Sequence, residues 1–432
     1  MHPLEVAELL KRCCRSSHCL SPTHACDRLP SLSFPRISDP GALHEIGPLS
    51  RSVQESILQV ARRRVCQNNR VQLLLDGAQS YSVMFELLAN AQQEILLENY
   101  IFRPDELGRA VAEQLKERAA EDVRVQVLHD AIGSLLNIAP LAWRFRGSGS
   151  SVRVYNPPRP TLAFFRLARD HRKLLVQDRR RLVTGGLCLA DVWLGNCVKS
   201  CTWRDSAVLA EGEAAADAAQ EFEQIWRHGF NFLRQARKVL GPEIASTSES
   251  IGDVPVRVLA SYPRSSMIER VLCLAFEAAA HEILVTNQYS VPTPAVANAL
   301  IAASRRGVDV QLLTSMSTGP FFLGLTAEHV LGPLLRAGVK AWRWAGPLLH
   351  AKTVVVDRCW SLVGSTNLDA QSLTTNAELD LEIHGTAVGE QMVEIFFRDR
   401  AGSRELTYAA WQRRPLLRKG ITAALALTRQ WQ

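Results

Sequence analysis

Hydrophobic and polar positions along this chain follow two alternating patterns, one typical of buried strands and one typical of amphipathic helices. Short apolar runs such as VQLLLDG, EILLENYIF and VRVQVLHD are separated by segments whose apolar residues recur three and four positions apart, such as SYSVMFELLANAQQ and ELGRAVAEQLKERAAE. An amphipathic helix (SVQESILQVARRR) precedes the first run. The pattern predicts a β-α-β-α-β unit after that helix.

The same order of elements returns after residue 250. VPVRVLAS, HEILVTNQYS and VDVQLLTS are predicted strands, and SSMIERVLCLAFEAAA and PAVANALIAASRRG are predicted helices between them. Because strands and helices alternate with short connections, we expect an α/β fold of two tandem α-β-α lobes, each a mostly parallel sheet flanked by helices. The predicted division is a loosely ordered extension over 1–50, a first lobe over 51–245 and a second lobe over 246–432.

Each half also carries one copy of a short polar motif, HxKxxxxD. The copies are HRKLLVQD at 171–178 and HAKTVVVD at 350–357, and each is followed at the same interval by a glycine, Gly185 or Gly364. In a strand, a histidine and a lysine two positions apart lie on one face. One such motif is common by chance, but two copies with a matching glycine indicate a repeated functional site.

Composition and the lack of long apolar runs bear on the partners and the cellular location of the protein. The 432 residues include 47% hydrophobic ones, enough for a large core, and the formal charge of +7 is compatible with an anionic partner without identifying one. No apolar run approaches the ~18 residues of a membrane-spanning helix, and the start lacks the features of a secretory signal. We therefore expect a cytosolic protein without a transmembrane helix.

The ten cysteines are spread through the chain and predict free thiols in a reducing compartment. Cys13, Cys14, Cys19 and Cys26 cluster near the start, but their spacing matches no common zinc site. We therefore predict no metal and no cofactor.

The motif residues combine positive charge with side chains that can take up or release a proton. Lys173 and Lys352 supply fixed positive charge. Histidine has a reference pKa of ~6.5 and can act as a nucleophile or as a proton donor. Two histidines, His171 and His350, can therefore divide these two roles.

From about Val71 onward the chain resembles the phospholipase D superfamily, and within it the bacterial cardiolipin synthases that lack N-terminal transmembrane helices. The resemblance rests on the two HxKxxxxD motifs with GGLCLAD and GSTNLDA, and on TWRDS and NAELDLEI. It implies that the two lobes share one active site at their interface. The motif-defined catalytic set is His171, Lys173, Asp178, His350, Lys352 and Asp357.

The resemblance also suggests individual roles. His171 is the expected nucleophile and His350 the expected general acid, although these two roles could be reversed. Asp205 and Glu378 are expected to orient the histidines. Asp178 and Asp357 are expected to hydrogen-bond backbone amides rather than take part in chemistry, and Ser365 and Asn367 to donate hydrogen bonds to phosphate.

One position departs from the family pattern. Cys188 stands where the family normally has asparagine, and a thiol is a weak hydrogen-bond donor. Loss of one such donor lowers a rate by ~100-fold or more unless a neighbour replaces it. Because both histidines, both lysines and both expected orienting carboxylates are present, an active but slow or specialised enzyme is favoured over an inactive relative.

The implied function is a phosphatidyltransferase that forms cardiolipin from phosphatidylglycerol, with a second phospholipid as acceptor, through a phosphohistidine. Alternatives are a phospholipase D-type hydrolase, a nuclease, or a weakened lipid-binding relative. Nucleic acid is not an expected partner, because no aromatic and basic strand motif is evident. The C-terminal WQRRPLLRKGITAALALTRQWQ either lies on an anionic membrane at its cytoplasmic face or docks on the body. The oligomeric state stays open.

Overall fold

Buried strands and amphipathic helices form where the apolar patterns predict them. The computed structural model describes residues 49–157, 168–194, 203–228, 251–315 and 321–426. In the first half the elements are α1 (Arg51–Ala61), β1 (Cys66–Leu75), α2 (Asp76–Asn90), β2 (Glu94–Asn99), α3 (Glu106–Ala120), β3 (Arg124–Asp130), α4 (Ile138–Arg144), β4 (Ser151–Tyr155), β5 (Lys173–Gln177), β6 (Arg181–Gly185), β7 (Ser206–Gly212) and α5 (Glu213–His228).

The second half repeats this series with the same kinds of element. It contains β8 (Val254–Ala260), α6 (Met267–Ala278), β9 (Glu282–Asn287), α7 (Pro294–Arg305), β10 (Asp309–Thr314), α8 (Phe321–Arg336), β11 (Lys340–Arg343), β12 (Lys352–Val356), β13 (Trp360–Gly364), α9 (Ala370–Thr374), β14 (Leu379–His384), α10 (Thr386–Ala401), β15 (Arg404–Glu405), α11 (Tyr408–Gln412) and α12 (Leu416–Ala426). Single 3₁₀ turns occur at Leu135–Asn137 and Asp191–Trp193.

All fifteen strands of the described residues belong to one sheet, whose order shows the duplication directly. The order is β15-β11-β10-β9-β12-β13-β14-β8-β1-β7-β6-β5-β2-β3-β4. Counted outward from the central β1–β8 pair, the strand order of the first half is β1-β7-β6-β5-β2-β3-β4. That of the second half is β8-β14-β13-β12-β9-β10-β11, followed by the additional short strand β15. The two halves therefore have equivalent topology and meet edge to edge at an antiparallel pair.

The α/β class is confirmed, but the expectation of mostly parallel sheets is wrong. Parallel pairing is confined to β2–β3–β4 and β9–β10–β11. The remaining pairs are antiparallel. The reason is that β5 and β6, like β12 and β13, are joined by a tight turn, and such a turn can only connect antiparallel strands.

The core consists of apolar layers on both faces of the sheet. Within β2, Ile95 and Leu97 pack with α2 and α3, whereas Leu96 packs on the opposite side in a layer that includes α5 and α10. The layer containing α5 and α10 combines strands from both halves, so burial of apolar surface joins them. The predicted lobe boundary at 245 and 246 and the extension over 1–48 lie outside the described residues.

Candidate active site

The two motif histidines lie where β5 and β12 begin, and the backbone of each is held by the opposite half. His171 N donates to Ala377 O at 2.9 Å, and His350 N donates to Arg204 O at 2.7 Å. Short parallel bridges, Asp170 with Ala377 and Arg204 with Leu349, flank these bonds. The start of each motif strand therefore sits against the segment that precedes β14 or β7 of the other half.

His171 is hydrogen-bonded to a carboxylate from the second half. Its Nδ1 lies 3.0 Å from both Oε1 and Oε2 of Glu378, which is fully buried. Ser365 Oγ donates to Glu378 Oε2 at 2.6 Å and so fixes the carboxylate from its other side. With Nδ1–H directed at Glu378, the Nε2 lone pair of His171 remains available.

His350 takes its carboxylate from the first half. Its Nδ1 lies 2.7 Å from Asp205 Oδ2, which also accepts from the indole Nε1 of Trp193 at 2.9 Å. The backbone N of Ser206 donates to the other oxygen at 2.8 Å. A Cβ at Gly186, the counterpart of Ser365, would stand 2.1 Å from Asp205 Oδ1, so a serine cannot occupy this place and the indole donates instead.

Two buried lysines complete the group. Lys173 and Lys352 are each 3% exposed, and each Nζ donates to the carbonyl oxygen of the histidine two residues before it. Burial lowers the pKa of each histidine, and the charges of both lysines act in the same direction, the lysine of its own motif more than that of the other half. These four side chains therefore share one electrostatic environment.

Burial sets the protonation state of the pair. It lowers the pKa of His171 and, together with the charge of Lys352, lowers the pKa of His350 to about 3. Burial alone would raise the pKa values of Asp205 and Glu378, but the adjacent histidines outweigh it and both are lowered. At neutral pH the site thus contains two neutral imidazoles facing two carboxylates.

Asp178 and Asp357 lie away from this group, at the far ends of β5 and β12. Asp178 accepts from the backbone N atoms of residues 92–94 at 2.7 to 2.9 Å. Asp357 accepts from those of residues 280–282 at the same range of distances. Both residues have positive φ, 51° and 47°, in the turns that follow. These contacts are the backbone bonds expected for them, and a catalytic role for either aspartate stays a prediction.

The two expected phosphate donors differ in their surroundings. The Ser365 hydroxyl donates to Glu378 Oε2, and its expected role toward phosphate stays a prediction. Asn367 is 7% exposed, and its Oδ1 has no hydrogen-bond partner within the described residues. Its role toward phosphate stays a prediction.

Cys188 lies close enough to the site to sense both lysines. It is 1% exposed, and its pKa is raised by burial, while the charges of Lys173 and Lys352 act in the opposite direction. The thiol is therefore neutral at pH 7. An asparagine at this position would be a stronger hydrogen-bond donor near the same two lysines.

Aromatic side chains around the histidines were not predicted from the sequence. The Tyr100 ring packs edge-on against His171 at 4.9 Å, and Trp193 and Trp203 pack around His350 at 5.4 and 5.9 Å. Two of them carried a usable signal, because Trp203 is two residues before Asp205 and Tyr100 follows the buried strand β2 that pairs with β5.

Two arginines that follow the first motif are engaged in ion pairs. Arg179 and Arg181, after the first motif, form ion pairs with Glu94, Glu223, Glu86 and Glu211. Among the described residues we find no group of three or more metal-ligating side chains and no helix suited to crossing a membrane. The cysteine cluster at 13–26 lies outside the described residues.

A family model described as "Cardiolipin synthase, PLD-like domain" matches residues 272–400, which include the second motif. Similar solved structures include a phosphatidylserine synthase from Haemophilus influenzae (TM-score 0.68, 16% identity, 88% of this chain and 99% of that one) and a polyphosphate kinase from Porphyromonas gingivalis (TM-score 0.54, 14% identity, 84% and 54%). At these identities the likeness concerns the fold.

Sequence relatives align over most of the chain. The major cardiolipin synthase of Bacillus subtilis is 28% identical over 81% of this chain and 73% of its own length. Cardiolipin synthase A of Pseudomonas fluorescens is 30% identical over 81% of this chain and 72% of its own length. With its duplicated sheet, the chain belongs to the cardiolipin synthase family of phospholipase D-like proteins.

Proposed function

We propose that this protein is a phosphatidyltransferase that makes cardiolipin from phosphatidylglycerol through a phosphohistidine. The observation that carries the proposal is the crossed pairing of His171 with Glu378 and of His350 with Asp205, with two lysine cations beside them. Such a site supplies a nucleophile, a proton donor and charge stabilisation from side chains alone.

The first step forms the covalent intermediate. Nε2 of His171 attacks the phosphorus of phosphatidylglycerol, an N–P bond forms, and the bond from phosphorus to the glycerol headgroup oxygen breaks. His350 gives a proton to that oxygen, so the headgroup leaves as glycerol. The proton reaches His350 on substrate binding, because the phosphate charge offsets the lysines that lower the histidine pKa in the free enzyme.

The second step consumes the intermediate. His350, now neutral, accepts the proton of a headgroup hydroxyl on a second phosphatidylglycerol, and that oxygen attacks the phosphorus. The N–P bond breaks, His171 is restored, and the product is cardiolipin. If water takes the place of the lipid hydroxyl, the product is phosphatidic acid, so exclusion of water separates a transferase from a hydrolase.

The proposed setting is the cytoplasmic face of an anionic membrane, with peripheral association and phospholipids as both donor and acceptor. Nucleic acid is not a proposed partner, and no metal is needed because the lysines provide the positive charge. Assigning His171 as the nucleophile follows the family resemblance, and trapping the intermediate decides it.

The test is incubation of the purified protein with phosphatidylglycerol vesicles in EDTA, followed by mass spectrometry of lipids and of the peptide containing His171. We expect cardiolipin, free glycerol and a phosphatidyl adduct on His171, all lost in His171→Ala. Unchanged turnover in that variant would reject the mechanism. Phosphatidic acid alone would indicate a hydrolase, cleavage of DNA or RNA without a lipid product a nuclease, and vesicle binding without turnover a non-catalytic relative.

A further inference from the structure

An exposed apolar group lies in the segment that follows β3, in the first half. Trp143 is 75% exposed, Leu135 50% and Ile132 45%, whereas most apolar side chains of the described residues are buried. Large apolar side chains grouped on a surface mark an interaction site. We call Ile132, Leu135 and Trp143 the rim group.

The rim group is tied to the active site by short contacts. Asp130 Oδ1 accepts from the backbone N atoms of Ile132 and Gly133 at 2.7 and 3.0 Å, and its Oδ2 accepts from Asp170 N at 3.0 Å. Asp170 directly precedes His171. Gly133 packs against the Tyr100 carbonyl so closely that a Cβ would lie 2.2 Å from it, and the Tyr100 ring contacts His171.

The topology places this segment at the edge of the sheet that carries the site. β2 and β3 are parallel, and Asn99 at the end of β2 pairs with Lys173 at the start of β5. The chain therefore leaves β3 at the edge where the motif strands begin. The rim group borders the site rather than a distant surface.

The charge of the segment specifies the partner. From residue 131 to residue 157 the sequence contains three arginines and no aspartate or glutamate, and one of them, Arg144, pairs with Glu113 at 2.9 Å. Another of these arginines, Arg146, is exposed close to Trp143. Exposed tryptophan and aliphatic side chains in a cationic segment suit the headgroup region of an anionic bilayer.

The equivalent connection of the second half has a similar character. Between Asp309 and Asp357 the sequence has one carboxylate, Glu328 on α8, and Arg414 and Arg418 near α12 pair with it at 3.0 and 2.9 Å. The described part of the C-terminal segment, up to residue 426, is thus docked on the body. It nevertheless exposes Leu416 (83%) and Leu417 (77%).

We infer that the rim group inserts into the headgroup region of an anionic phospholipid bilayer and holds the mouth of the active site against it. This inference rests on the proposed function for its lipid substrate and adds the surface through which that lipid is reached. Membrane-bound substrate then enters at the edge where β5 and β12 begin, without first crossing water.

The test compares the wild type with the triple variant Ile132→Ser, Leu135→Ser, Trp143→Ser. Binding to phosphatidylglycerol vesicles is measured by co-sedimentation, and turnover is measured on vesicles and on a short-chain phosphatidylglycerol below its micelle concentration. We expect vesicle binding and vesicle turnover to fall at least ~10-fold, because apolar insertion is lost, with turnover of the short-chain lipid unchanged. Leu58→Ser, at a 44% exposed leucine on α1, is the matched control and should bind as the wild type does.

A second measurement does not depend on loss of binding. Phospholipids brominated on their acyl chains should quench tryptophan fluorescence of the wild type, and Trp143→Phe should lose most of that quenching. Equal vesicle binding by the triple variant and the wild type would overturn the inference, as would a wild type that does not bind. Binding that depends on the rim group without cardiolipin formation would keep this inference and reject the proposed function.

Discussion

The two halves of the molecule have the same strand order and the same motif, yet their histidines sit in different surroundings. Beside His171, burial raises the pKa values of two neighbouring carboxyls, Asp170 and Glu98. Arg172 lies next to them and donates to Ser261 O at 2.6 Å. The first histidine is therefore flanked in the sequence by members of a buried polar network.

At the equivalent positions of the second half the chain has Leu349, Ala351 and Thr286, and the two apolar ones are fully buried. His350 also packs against the rings of Trp193 and Trp203, which contact each other. A cation is harder to hold among apolar groups, in keeping with a pKa lowered to about 3. Duplication thus preserved the reacting groups and changed their supports, which allows the two histidines to perform different steps.

The largest expected effect is the loss of either histidine, and a leaving group that needs no proton distinguishes their roles. With phosphatidylglycerol, His171→Ala and His350→Ala should both lose ~10³-fold or more of kcat, since nucleophile and general acid are each required. With a p-nitrophenyl phosphodiester, whose leaving group needs no proton, His350→Ala should retain formation of the phosphohistidine and His171→Ala should not. The measurement is the burst of p-nitrophenolate in rapid mixing.

The reverse pattern, a burst in His171→Ala alone, would exchange the two roles. Circular dichroism of both variants controls for folding. A burst in neither variant would show that the halves are more alike in function than their surroundings indicate.

The next effect concerns Glu378 and Asp205, the carboxylates that each contact the histidine of the other half. Glu378→Gln and Asp205→Asn keep the size of each side chain but remove the charge that orients the imidazole, so we expect kcat to fall by roughly 10²- to 10⁴-fold. Glu378→Gln should slow formation of the intermediate, whereas Asp205→Asn should slow the step that involves the leaving group. Single-turnover kinetics with both lipid and p-nitrophenyl substrates separate the two.

Ser206→Ala is a control for the surroundings of Asp205: its backbone N still donates to Asp205, and only the bond from Arg204 Nη1 to the hydroxyl is lost. If both carboxylate variants slowed the same step, the crossed pairing would not divide the work between the histidines.

The duplication and its motifs could be predicted from the sequence because they depend on local pattern and on residue types set at fixed intervals. The strand pairing could not be predicted, because β5 lies beside β2 although the two strands are more than 70 residues apart, and no local pattern shows such long-range pairing. The same applies to Trp193, whose indole takes the place of a serine only because Gly186 leaves no room for a side chain beside Asp205. The contact of the Ser365 hydroxyl with Glu378 could not be predicted either, because a hydroxyl near a motif does not reveal which oxygen it faces.

A smaller effect is expected at the residue where the first half departs from the family. Asparagine at position 188 would bring an amide donor toward the space between Lys173 and Lys352, so Cys188→Asn should raise kcat by ~10-fold or more. Steady-state turnover of phosphatidylglycerol measures it, with Cys188→Ala, which adds no donor, as the control. No gain would mean that another donor already fills this place.

The smallest expected effect is a change in pH dependence that distinguishes the two lysines. Burial lowers the pKa of Lys352 to about 8, so its positive charge is present below that pH and is lost as the pH rises through it. We therefore expect kcat/KM to fall up to tenfold per pH unit above pH ~8. Arginine stays protonated in this range, so Lys352→Arg should move the alkaline limb beyond pH 9 even if its maximal rate is lower. Lys173→Arg makes the same change in the other half while leaving Lys352 in place, and it should keep the limb of the wild type. An unmoved limb in Lys352→Arg would assign the alkaline loss of activity to a different group.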